Sequence, residues 1–68
     1  MNILILGGGG REHALAWAVK QNPKCDHLIV SPGNAGMQNI AECVNLDINN
    51  GSAVVAYAKA QSIDFVII

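Results

Sequence analysis

The chain has 68 residues, 51% of them apolar and 13% charged, with a net charge of −1. At that length it forms at most one small domain, burying only about 60% of its unfolded surface; charge at roughly half the usual ~25% leaves too little polar material for an all-round solvent face, so part of the surface is expected to be covered. No cluster of lysine or arginine suggests nucleic acid or a membrane surface, no apolar run reaches signal-peptide or spanning length, and the separated Cys25 and Cys43 make neither a zinc set nor a redox dithiol, so a cytoplasmic enzyme with reduced cysteines is expected.

Ile3 to Leu6 is a continuous β-branched and leucine run, suited to a strand covered on both faces of a parallel sheet. Four glycines, Gly7 to Gly10, follow it. Arg11 to Gln21 predicts a helix with Leu15, Ala18 and Val19 on its core face, Ala14 at the edge and Asn22-Pro23 as its end. Leu28-Ile29-Val30, within His27 to Ser31, is a second strand, and Pro32-Gly33-Asn34-Ala35-Gly36 is an irregular loop. Cys43 to Leu46 reads as a short third strand, and Asp47 to Ser52 offers several turn and N-cap residues without singling one out. Ala53 to Gln61 predicts a second helix with Val54, Tyr57 and Ala58 on one face. A fourth strand, Asp64 to Ile68, ends the chain on an apolar run with no polar tail, which reads as an interrupted protein.

This order, β-α-β-β-α-β, is an α/β pattern. A parallel sheet ordered 3-2-1-4 is expected, and right-handed crossovers then place one helix on each face. The first and fourth strands then flank a switch point, where open α/β sheets bind ligands beyond the carboxyl ends of their strands. The glycine run lies at that end.

Glycine costs roughly 0.5–1 kcal/mol relative to alanine in a regular element, so four together need a reason. Close backbone approach to an anion is one, because the first amides of a helix lack partners and lie at the positive end of its dipole. A tight turn that only packs helix on strand is the structural alternative for Gly8, Gly9 and Gly10. A dinucleotide fingerprint fails: counting from Gly7, the third glycine position holds Glu12, counting from Gly8 it holds His13, and the second strand ends in Val30-Ser31-Pro32 with no carboxylate. No Gly-Lys-Ser/Thr follows to make a Walker A loop. The simplest anion is a phosphate monoester.

The run Leu6-Gly7-Gly8-Gly9-Gly10-Arg11-Glu12-His13-Ala14-Leu15-Ala16-Trp17, followed by Pro32-Gly33-Asn34-Ala35-Gly36, closely resembles the N-terminal domain of the glycinamide ribonucleotide synthetases, the phosphoribosylamine-glycine ligases. Their usual first motif is G-N-G-G-R-E-H-A, and Gly8 stands here where that asparagine is usual, removing a side-chain hydrogen-bonding group but keeping the backbone cradle. The resemblance spans almost the whole chain. It implies a Rossmann-like pre-ATP-grasp domain, residues 1–68, of a ligase of de novo purine biosynthesis. That enzyme activates glycine as an acyl phosphate with ATP and magnesium or manganese, and the amine of 5-phosphoribosylamine attacks it. The ATP-grasp and C-terminal domains, which carry nucleotide and metal, and a Gly-Pro-Glu segment after the fourth strand lie outside these residues. The segment alone is expected to be inactive and to bind no cofactor.

The resulting expectation is a substrate-side role in which Gly8, Gly9, Gly10, Arg11 and Glu12, with Pro32, Gly33, Asn34, Ala35 and Gly36, line the phosphoribosyl side of the pocket. A cation in the first turn is disfavoured by about 0.3–1 kcal/mol, which a nearby phosphate reverses, so Arg11 is expected beside it. Glu12 suits the helix dipole at least as well as it suits ribose or amine. His13 has no triad partner and reads as a packed or capping histidine, with no catalytic residue assigned. His13 and Trp17 together are expected to face the remaining domains. Cys25, Cys43 and Asp47 carry no functional case. The alternatives are a dinucleotide-binding oxidoreductase domain and a non-catalytic docking module.

Overall fold

A computed structural model describes residues 1–67. The elements are β1 (Asn2–Gly7), α1 (Gly10–Lys20), β2 (His27–Pro32), a 3₁₀ turn (Ala35–Asn39), β3 (Glu42–Cys43), α2 (Gly51–Ala60) and β4 (Phe65–Ile67). All strands are parallel, in the expected order β3-β2-β1-β4. The last residue of the expected fourth strand, Ile68, lies outside the described residues.

The apolar runs of β1 and β2 are covered on both faces. Ile3, Ile5, Leu28 and Val30 pack with Ala16 of α1 and Met37, whereas Leu4, Leu6 and Ile29 pack with Val54 and Tyr57 of α2 and with Ile63. Each fully buried side chain of this kind contributes about 1.5–3 kcal/mol. The two helices thus lie on opposite faces, and the Val54-Tyr57 stripe of α2 faces the sheet as its spacing indicates.

The face of α1 differs from expectation. Ala16 is its fully buried residue and Val19 is half-buried, while Ala14, Leu15 and Ala18 are exposed. Positions 12, 16 and 19 recur at helical spacing, and the absence of bulk at Ala16 lets the helix lie close to the sheet. This rotation carries Glu12 and His13 over the loops at the carboxyl ends of β1 and β2. It leaves Leu15 37% and Trp17 57% exposed.

Other boundaries shift for local reasons. Pro32 belongs to β2, and the loop after it tightens into the 3₁₀ turn because Asn34 Oδ1 accepts the amide of Met37 at 3.1 Å. β3 begins at Glu42 and stops at Cys43, short of Leu46. There the chain leaves the ladder, and the buried Ser31 hydroxyl at the end of β2 takes the Leu46 amide at 3.0 Å. α2 starts two residues before Ala53 because Asn50 is its cap, its Oδ1 accepting from Ala53 N at 3.2 Å. Among the described residues no helix is long and apolar enough to cross a membrane.

Candidate functional site

β1 delivers the glycine run to the carboxyl end of the sheet, between its neighbours β2 and β4. The first bond of α1 runs from His13 N to Gly9 O at 3.0 Å, so the amides of Gly10, Arg11 and Glu12 precede the helical ladder and have no partner within it. Gly9 is the cap and supplies no side-chain bond. Gly9, Gly10 and Arg11 are exposed. Nothing lies within 4 Å of where a Gly10 Cβ would stand, so this side of the helix start is open to an anion.

The loop after β2 closes against the glycine run. Gly33 N donates to Gly7 O at 3.1 Å, and Asn34 Nδ2 donates to Gly8 O at 2.8 Å. A Cβ on Gly8 would stand 2.6 Å from Gly33 O, a backbone atom that cannot swing away, so this contact requires glycine. Gly33 itself has φ +68°, a conformation that glycine adopts without a Cβ penalty. Beneath it Cys43 Sγ points at the loop and donates to Asn34 O at 3.8 Å.

The expected site residues therefore divide. Gly8, Gly33 and Asn34 are in direct contact, with Gly9, Gly10 and Arg11 beside them. Glu12 folds back on the loop: a Cβ at Gly7 would stand 2.7 Å from its Oε1, and one at Gly9 3.1 Å from its Oε2. The carboxylate thus takes the Gly7–Gly9 flank in the dipole-partner position. Pro32 pairs in register with Gly7, and Ala35 opens the 3₁₀ turn with its side chain exposed. Gly36 receives the His13 ring, whose Cε1 lies 2.9 Å from the position of a Gly36 Cβ. His13 therefore packs within the chain, and Trp17 is the exposed member of that pair.

A cleft of about 300 Å³ adjoins the cradle, lined by Ile5, Leu6, Arg11, Glu12, Leu15 and Ile67. It lies at the carboxyl ends of β1 and β4, the switch point of the sheet. A somewhat larger opening, about 380 Å³, lies at the amino end of β2 near Lys20, Asp26, His27 and Glu42. That end of the sheet has neither the glycine run nor a helix start, so the smaller cleft is the better site. Among the described residues no three His, Cys, Asp or Glu side chains gather to hold a metal ion.

Ser31 is expected only as part of a strand end, and Cys43 is expected to have no functional role. Ser31 is completely buried, and its Oγ both accepts from Leu46 N and donates to Leu46 O at 3.4 Å. The signal was a hydroxyl closing an otherwise apolar buried strand. Cys43 supports Gly33 and Asn34 from below, a role that only the strand pairing reveals.

Residues 1–68 match the family model described as phosphoribosylglycinamide synthetase, N domain. Over its full length the chain is 50% identical to a phosphoribosylamine-glycine ligase of Agrobacterium fabrum, covering 16% of that protein. It is 47% identical to the enzymes of that name from Vibrio cholerae and Haemophilus influenzae, again over the whole of this chain and 16% of each relative. The chain thus spans about one-sixth of the curated relatives it matches.

Proposed function

The chain belongs to the family of the phosphoribosylglycinamide synthetase N domain, and from that premise we propose that it is the substrate-side part of a ligase joining glycine to 5-phosphoribosylamine in purine biosynthesis. Its role is to hold the phosphate of the phosphoribosyl group on the amides that open α1, with Arg11 alongside. The observation that carries this is the helix start itself, whose amides precede the ladder and whose outer side is open at Gly10. Holding the sugar there fixes where its amine can reach, which lowers the entropic part of the barrier to attack on activated glycine.

ATP supplies the activation of the glycine carboxylate in such a ligase. Nucleotide and magnesium or manganese are assigned to the remaining domains of the longer protein. Those domains are the partners of this chain, and exposed Leu15, Trp17 and Phe65 give them apolar surface to cover. The oxidoreductase alternative loses support at Ser31: this residue stands where a dinucleotide fold presents a ribose-binding carboxylate, and its hydroxyl is buried and tied to Leu46.

The test is Gly10→Asp in the full-length protein. The space at Gly10 admits the side chain, and an acidic residue in the first turn favours the helix dipole. Yet like charges about 4 Å apart repel by about 4 kcal/mol at an effective dielectric near 20. The KM for phosphoribosylamine is therefore expected to rise about a thousandfold, with the KM for ATP unchanged. An unchanged KM for phosphoribosylamine sinks the assignment.

A further inference from the structure

Three consecutive carbonyls of the glycine run are each held by a donor: Gly7 O by Gly33 N at 3.1 Å, Gly8 O by Asn34 Nδ2 at 2.8 Å, and Gly9 O by His13 N at 3.0 Å. The first and last donors are backbone amides, which no substitution short of proline removes. The middle one is a side chain. The peptide between Gly8 and Gly9 is trans, and in a planar trans peptide the N–H points opposite to the C=O. Binding Gly8 O to the second loop therefore turns Gly9 N–H away from that loop. Between two glycines this plane rotates at little steric cost, so its direction is set by what holds it.

We infer that Asn34 is a positioning residue for the phosphate cradle: by holding Gly8 O it aims the Gly9 amide, while its own side chain need not touch the ligand. The inference rests on the proposal that this cradle takes the phosphoribosyl phosphate. Asn34 is well placed for the task because its other polar atom is already used. Oδ1 accepts from Met37 N at 3.1 Å and caps the 3₁₀ turn, and Met37 is fully buried in the core on the α1 side of the sheet. The amide group is thereby fixed at one end and presents Nδ2 to Gly8 at the other. Gly36 fits the same arrangement, since a Cβ there would stand 3.3 Å from Asn34 Oδ1 and 2.9 Å from His13 Cε1.

Serine separates the two jobs. Asn34→Ser keeps a hydroxyl able to cap Met37 N, but its side chain is one atom too short to reach Gly8 O. Asn34→Ala removes both bonds. In the full-length protein both variants are expected to raise the KM for phosphoribosylamine about tenfold, the loss of one oriented hydrogen bond, with kcat and the KM for ATP unchanged. Both should lower Tm, Asn34→Ala further than Asn34→Ser because it alone loses the cap as well. If Asn34→Ser leaves the KM for phosphoribosylamine unchanged while Gly10→Asp raises it, the cradle stands and the role of Asn34 is overturned. If Gly10→Asp changes nothing, the cradle and the inference fall together.

Discussion

The two helices begin in opposite ways. α2 opens on Asn50, whose Oδ1 takes the Ala53 amide, after a turn in which Asp47 accepts the amides of both Asn49 and Asn50. α1 opens on Gly9, which offers its first amides nothing from a side chain. Both caps are extended, at φ −102° and −82°, so the backbone route into the helix does not explain the difference. A side-chain cap contributes typically about 1 kcal/mol. α2 has that contribution and α1 forgoes it. One helix start thus carries a stabilising side-chain cap and the other is left without one, at the carboxyl end of the sheet, where open α/β sheets bind ligands.

Substitutions that close the open start or open the closed one test this contrast. The largest effect is expected from Gly10→Asp, with its thousandfold rise in the KM for phosphoribosylamine. The equivalent charge at α2, Gly51→Asp, also enters open space and should leave every KM unchanged. Gly8→Ala is expected to lower stability by about 1–3 kcal/mol, because its methyl meets Gly33 O at 2.6 Å and overpacks the junction of the loops. Denaturant midpoints measure it, and a midpoint equal to that of the parent protein contradicts the close approach. Asn50→Ala should cost about 1 kcal/mol by the same measurement with no change in substrate binding; a rise in the KM for phosphoribosylamine would erase the distinction between the helix starts.

The smallest effect lies away from both helices. The Met1 amine donates to Asp26 at 2.6 Å, and this hydrogen bond, ahead of the smaller opposing cost of desolvation, raises its pKa above 8.0. A raised amine pKa contributes stability fully below the unfolded value and loses it as pH rises through the folded one. Stability should therefore decline slightly above pH 8 in the parent protein, and Asp26→Asn should abolish that part of the decline. An identical pH dependence in both proteins contradicts the pairing.

Strand order and the placement of a helix on each face were legible because continuous apolar runs such as Ile3 to Leu6 can only be buried between two layers, and crossover handedness then leaves few arrangements. The Val54-Tyr57 face was legible from spacing, since two larger apolar side chains three positions apart share one side of α2. α1 was not, because Ala14, Ala16 and Ala18 spread small apolar side chains around the helix. Its rotation is decided instead by what Glu12 and His13 meet on Gly7 and Gly36, contacts between residues that the loops bring together. Of the candidate site, the glycine run and its partner loop were legible as motifs. The bond from Asn34 to Gly8 was not, since it depends on parallel pairing that brings Gly33 beside Gly7. The end of β3 was hidden likewise, in a single serine hydroxyl that competes with the ladder for Leu46.

The most direct measurement uses the full-length protein labelled with ¹⁵N-glycine and titrated with ribose 5-phosphate, so that both helix starts report in one spectrum. Saturable shifts of the Gly9 and Gly10 amides, with the Gly51 amide unmoved, are the predicted result. Saturable binding of the sugar phosphate that leaves the Gly9 and Gly10 amides where they were would contradict the account.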